Sequence, residues 1–152
     1  NNFKFCKLFR SNKNYFFNCA LVSFDYKGDR GELFKYDDSQ QSINQNGHWG
    51  GTQYKPSGQI VKCRTLQSIL DELKIYNIKK FFLDTEGYEF EVLKGINYKK
   101  TKILEIDVET HDKAVFKTMQ DEEKAITSFL KNFNYYKPDE TQTKGHILYK
   151  LK

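Results

Sequence analysis

No stretch of this 152-residue chain has more than a handful of consecutive apolar residues, so a membrane-spanning helix is excluded. Cysteine is scarce: Cys6, Cys19 and Cys63 are an odd number without C-x-x-C spacing, and His48, His111 and His146 lie far apart. That pattern excludes a disulfide scaffold, argues against structural zinc and leaves no metal site to name; a reduced, cytoplasmic setting is expected. Arginine is scarce too. Lys and Arg total 25 in a chain of net charge +5, and only Arg10, Arg30 and Arg64 are arginine. Readers of nucleic acid lean on the planar arginine fork, whereas the lysines here are scattered, in runs no longer than Lys79-Lys80 and Lys99-Lys100. They read as a solvated surface, and neither a nucleic-acid nor a membrane partner is expected. The first residues hold no apolar segment and no small-residue cleavage site, so nothing there reads as a signal peptide. Hydrophobic residues make up 38%, of which aromatics supply 16 points, so aliphatic side chains are few. The 13 Phe and 10 Tyr compensate, because large rings bury much area per residue. At this length one domain is expected.

Periodicity and turn chemistry give the element order. Residues 3–11 read as a short helix, 15–24 as a buried strand, 27–31 as a turn, and 32–36 as a strand forming a hairpin-like pair with 15–24. Residues 37–59 are polar and Gly-rich and read as a long functional loop containing His48 and Trp49. A strand follows at 60–63. Thr65 is a good N-cap for a helix whose Leu66, Ile69, Leu70 and Leu73 share one face. The run 80–83 reads as a central strand buried on both faces. A helix over 87–95 follows, with Phe90, Val92 and Leu93 inward and Gly95 as C-cap. A strand at 103–108, an amphipathic helix at 121–133, and a terminal hairpin of 135–136 with 147–149 complete the chain. This order predicts an α/β fold: an open, mostly parallel, doubly wound sheet closed by an antiparallel hairpin. In such sheets ligands bind outside the carboxyl ends of the strands. That rule selects the ends of strands 15–24, 80–83 and 103–108.

The second of those ends carries the densest chemistry. Asp84, Glu86 and Glu89 place three carboxylates within six positions, and Gly87 lets the backbone turn into the next helix. Their mutual repulsion calls for a cation, a donor-rich ligand or a raised pKa. Capping of the helix N-terminus is the plain alternative, strongest for Glu89.

Thr65-Leu66-x-Ser68-Ile69-Leu70, followed by Phe82-Leu83-Asp84-Thr85-Glu86-Gly87-Tyr88-Glu89-Phe90-Glu91-Val92-Leu93-Lys94-Gly95, resembles the FkbM family of S-adenosylmethionine-dependent methyltransferases. The family pattern runs T-L-D-x-L, then D-F-L-K-I-D-x-E-G-x-E-x-x-V-L-x-G. The resemblance continues upstream in Asn18-Cys19-Ala20-Leu21-Val22-Ser23 and downstream in Ile103-Leu104-Glu105-Ile106-Asp107-Val108-Glu109. Gln67 departs from the family's aspartate. The resemblance implies a Rossmann-like sheet and S-adenosyl-L-methionine as methyl donor. It also implies a glycine-rich D-x-G-x-x-x-G loop, which these 152 residues do not contain. The expectation is therefore a chain lacking the sheet's first two strands, as part of a longer protein, with either a split sheet or two exposed edges.

Carried over residue by residue, the resemblance places Cys19 and Ala20 beside the cofactor's adenine and Asp84 near the transferred methyl. There Asp84 orients the acceptor or takes its proton, with Glu86 as a second catalytic candidate. Glu89, Glu109, His111, His48 and Trp49 are implied acceptor-binding positions, and the acceptor is a hydroxyl on a sugar or other small metabolite. The alternative reading is a non-catalytic binding module that keeps the fold without the cofactor loop. Glycosyl transfer lacks its D-x-D motif.

Overall fold

The computed structural model describes residues 14–35, 41–42, 55–85, 87–109, 119–138 and 145–152, and within them the strands form two four-stranded sheets. The first contains β1 (Ala20–Leu21), β2 (Arg30–Lys35), β3 (Gln41–Ser42) and β4 (Lys55–Arg64), in the order β1-β4-β2-β3. β1 is parallel to β4, with Ala20 opposite Cys63 and Leu21 opposite Arg64, and β2 is antiparallel to both β4 and β3. The hairpin expected between 15–24 and 32–36 does not form, because β4 lies between them. The turn is held to β4 instead: Cys63 N–H donates to the Asp29 carbonyl at 2.8 Å, and the Tyr26 hydroxyl donates to the Arg30 carbonyl at 3.0 Å. Only two residues of 15–24 are strand, and Tyr15 and Phe24 are exposed. The span 37–59 is not wholly loop, since β3 and the first half of β4 fall inside it.

The second sheet contains β5 (Asn77–Leu83), β6 (Lys102–Glu109), β7 (Tyr135–Tyr136) and β8 (His146–Leu151), in the order β5-β6-β8-β7. β5 and β6 are parallel, while β8 is antiparallel to both β6 and β7. Both sheets are thus mixed, and the expected mostly parallel sheet is corrected. β5 is also not a central strand buried on both faces. Among the described residues it has β6 on one side only, and its side chains alternate: Leu83 is buried whereas Phe82 is 67% exposed.

Three helices are described. In α1 (Leu66–Leu73) the Thr65 Oγ1 accepts the Ser68 N–H at 3.1 Å, and Lys74 ends the helix in the left-handed region at φ 56°. α2 (Glu89–Leu93) is shorter than the 87–95 span expected, and α3 (Met119–Lys131) runs two residues ahead of its predicted start and stops two short of its end. Val92 and Leu93 of α2 and Ile126 and Leu130 of α3 close over Leu83, Ile106, Val108, Ile147 and Tyr149 on one face of the second sheet. Aromatic rings fill what aliphatic side chains leave: Tyr98 stacks on Phe133 at 4.3 Å, and Phe129 meets Phe90 edge-on at 5.6 Å. The two sheets are tied together at α1. Gln67 N–H donates to the Gly95 carbonyl, and the buried Gln67 Oε1 accepts from Asn97 N–H and Thr101 Oγ1, all at 3.0 Å. Gly95 is not the left-handed C-cap expected, since Lys94 ends α2 in right-handed geometry. Glycine is needed there because a Cβ would run into the Val22 carbonyl oxygen.

Candidate active site

The carboxyl end of β5 turns sharply. Leu83 closes the strand in the core, Asp84 emerges exposed, and Gly87 turns the chain with φ +90°. The turn is organised from the helix that follows. Glu89 is 2% exposed, and its Oε1 accepts from Thr85 N–H at 2.7 Å, Thr85 Oγ1 at 3.0 Å and Gly87 N–H at 3.3 Å. Three donors on one oxygen satisfy a buried carboxylate that would otherwise be costly. The N-cap position itself, Tyr88, makes no side-chain capping bond. Glu89 therefore fixes the backbone path that presents Asp84.

Glu109 ends β6 beside this turn, in register with His146 at the start of β8. The row behind it is Leu83, Val108 and Ile147, so the next residue along each strand, Asp84, Glu109 and His146, stands at one end of the sheet. His146 Nδ1 lies 3.1 Å from Asp107 Oδ1, and Lys80 Nζ lies 2.9 Å from Asp107 Oδ2. Lys80 also sits over the ring of Phe82 at 4.4 Å.

Ala20 opens β1 in the first sheet and Cys19 immediately precedes it; both are half-buried. Burial pushes the Cys19 thiol above its ordinary value; Arg64 pulls it back, Cys63 raises it and Lys62 lowers it. The net rise keeps it a thiol at neutral pH. Tyr88 follows Gly87 in the turn after β5. Burial is the main cause that pushes its hydroxyl up to about 12, with Glu91, Tyr26 and Cys63 adding to it. Tyr26, between β1 and β2, and Cys63 of β4 are thus electrostatic neighbours of Tyr88.

The structure brings Asp84 and Glu89 into one turn and sets Glu109 on the adjoining strand; Ala20 lies in the other sheet with Cys19 just before it. Glu86, His111, His48 and Trp49 lie outside the described residues. Sequence reasoning missed His146, Asp107 and Lys80, whose association depends on β8 register, for which no motif exists. Among the described residues no group of three His, Cys, Asp or Glu side chains could hold a metal ion, and no helix is long and apolar enough to cross a membrane.

The model of the methyltransferase FkbM domain matches residues 9–136. The chain belongs to the FkbM methyltransferase family. Its motif residues occupy the structure in a consistent way: the family's acid-rich segment is the β5–α2 turn, with Glu89 its internal anchor. No curated protein and no solved structure matches the chain.

Proposed function

We propose that this FkbM-family chain is an S-adenosylmethionine-dependent methyltransferase domain of a cytoplasmic protein, transferring a methyl group to a hydroxyl of a small metabolite such as a sugar. The observation that carries this reading is the β5–α2 turn, in which a buried glutamate is spent on holding an exposed aspartate at the carboxyl end of a strand. The side chains fit the charged end of such a donor. Asp84 and Glu109 supply negative charge beside a sulfonium, and Ala20 and Cys19 are small enough for a flat ring to rest against. When bound, the donor supplies an electrophilic methyl carbon. Asp84 then orients the acceptor hydroxyl, with Glu86 as its neighbour in sequence, while Glu109, His111, His48 and Trp49 are the further positions assigned to the acceptor side, and Glu89 acts through the turn it anchors. Correct placement of the reacting oxygen supplies much of the rate, and a nearby base adds to it.

The Rossmann-like arrangement is part of this proposal. β1 and β5 each stand at the end of a sheet, and both sheets are tied at α1, so two further parallel strands between β1 and β5 complete a single sheet. A glycine-rich loop for the donor's amino-acid end would accompany those strands. Absence of that loop from the 152 residues is the one observation favouring the second reading, a non-catalytic module with this fold.

Methyl transfer from labelled donor to a panel of small hydroxyl compounds separates the two, with the chain extended upstream used alongside. Asp84→Asn is expected to lower the rate roughly a hundredfold or more while leaving stability within about 0.5 kcal/mol of the native chain, because Asp84 is exposed. Unchanged transfer in the variant removes Asp84 from the chemistry. No transfer by either length of chain establishes the non-catalytic module.

A further inference from the structure

We infer that His146, held by Asp107, is the base that takes the proton from the acceptor hydroxyl; this rests on the methyltransferase reading above and deepens it. The ion pair with Lys80, 2.9 Å from Oδ2, holds Asp107 as a carboxylate, which accepts hydrogen bonds and cannot donate them. At 3.1 Å from Oδ1, the His146 Nδ1 must therefore carry the shared proton. In the neutral ring the lone pair then resides on Nε2, on the side away from Asp107. Asp107 is 15% exposed and His146 43% exposed, so the orienting carboxylate is sheltered while the ring is reachable.

Position matches the role. His146 stands in the row Asp84, Glu109, His146 that caps the carboxyl end of β5 and β6. Neighbouring strands lie about 4.8 Å apart, so Asp84 and His146 flank Glu109 with roughly 10 Å between them, and an acceptor that meets both lies over the Glu109 strand end. The charged groups facing His146 are Asp107 and Glu109 on β6 and Lys80 on β5 through Asp107. The Lys150–Glu105 pair lies farther along the same face at 3.5 Å. The apolar sides of α2 and α3 pack on the opposite face. In the step assigned here, the hydroxyl oxygen bonds to the methyl carbon of a sulfonium donor as the C–S bond breaks. That bond's electron pair returns to sulfur, leaving a neutral thioether. The hydroxyl proton passes to His146 Nε2, and the resulting imidazolium faces the Asp107 carboxylate.

Long-range proton–nitrogen NMR of the full-length protein tests this without a known acceptor. At a pH where the ring is neutral, His146 is expected as the Nδ1–H form, and its Nε2 resonance is expected to shift when S-adenosylhomocysteine and glycerol, as a probe hydroxyl, are added together. In Asp107→Asn, whose amide can also donate, the preference for the Nδ1–H form and the response of Nε2 are both expected to be lost. Because the native spectra decide the matter, the test stands even where the variant fails to fold. An Nε2–H form in the native chain overturns the inference. So does an unmoved His146 when amides of the β5–α2 turn do shift, and in that case the methyltransferase reading survives. No shift anywhere in the full-length protein overturns that reading and this one with it.

Discussion

A carboxylate at 2% exposure is tolerable in α2 because the Thr85 backbone, the Thr85 hydroxyl and the Gly87 backbone all donate to one of its oxygens. Removing it strands three donors in a buried turn. Glu89→Ala is expected to lose about 3 kcal/mol, read as a fall in the urea midpoint at unchanged slope, with Glu89→Gln losing less. A loss under about 0.5 kcal/mol contradicts the anchoring role. The tyrosines give a second residue-scale test. Burial pushes Tyr88, Tyr135 and Tyr149 up to about 12, and the ordinary value is 10.0. The folded state therefore keeps protons that the unfolded chain releases. Their contribution is complete below pH 10 and is lost as pH rises from 10 toward 12. Chemical denaturation from pH 8 to 12 is expected to show a flat tyrosine contribution up to about pH 9.5 and a steep decline above it. Stability that holds through pH 12 contradicts the burial of these hydroxyls. At this scale the sequence was informative where a motif spans neighbours, as in Asp84 to Glu89, and silent where partners come from distant strands. Nothing near His146 in sequence announces Asp107, 39 positions away.

Elements were legible where periodicity and caps agreed. Thr65 starts α1 as its side chain predicts, and the helical face of Leu66, Ile69, Leu70 and Leu73 led to the right span. β5 misled because an apolar run looks the same whether a strand has one neighbour or two, and Phe82 in that run is exposed. Gly95 misled for another reason. Its position after Leu93 and Lys94 fits a helix-ending glycine, whereas the backbone needs it for close approach to Val22. Gly95→Ala is therefore expected to destabilise by about 1–3 kcal/mol through overpacking, the opposite of the gain expected for alanine in an unstrained helix end. A neutral or stabilising outcome, from the same urea measurement, removes the contact between β1 and α2 from the account.

For the molecule as a whole, the order of elements was readable but their division into two sheets was not. Pairing depends on which strands meet: β4 lies between β1 and β2 through residues 60–64, a strand legible in the sequence without its neighbours being so. Two mixed sheets tied by Gln67 and Gly95 bring Val22, just past β1, against Gly95, just past α2. The central claim is that the end of β1 and the turn after β5 form one methyl-donor site. Amide NMR of the full-length protein titrated with S-adenosylhomocysteine tests it most directly, since even weak binding moves resonances. Shifts gathered at Cys19 and Ala20 and along Asp84 to Tyr88, reaching Glu109, are the expected result. Spectra that stay unchanged at millimolar ligand, or shifts confined to other parts of the fold, contradict it.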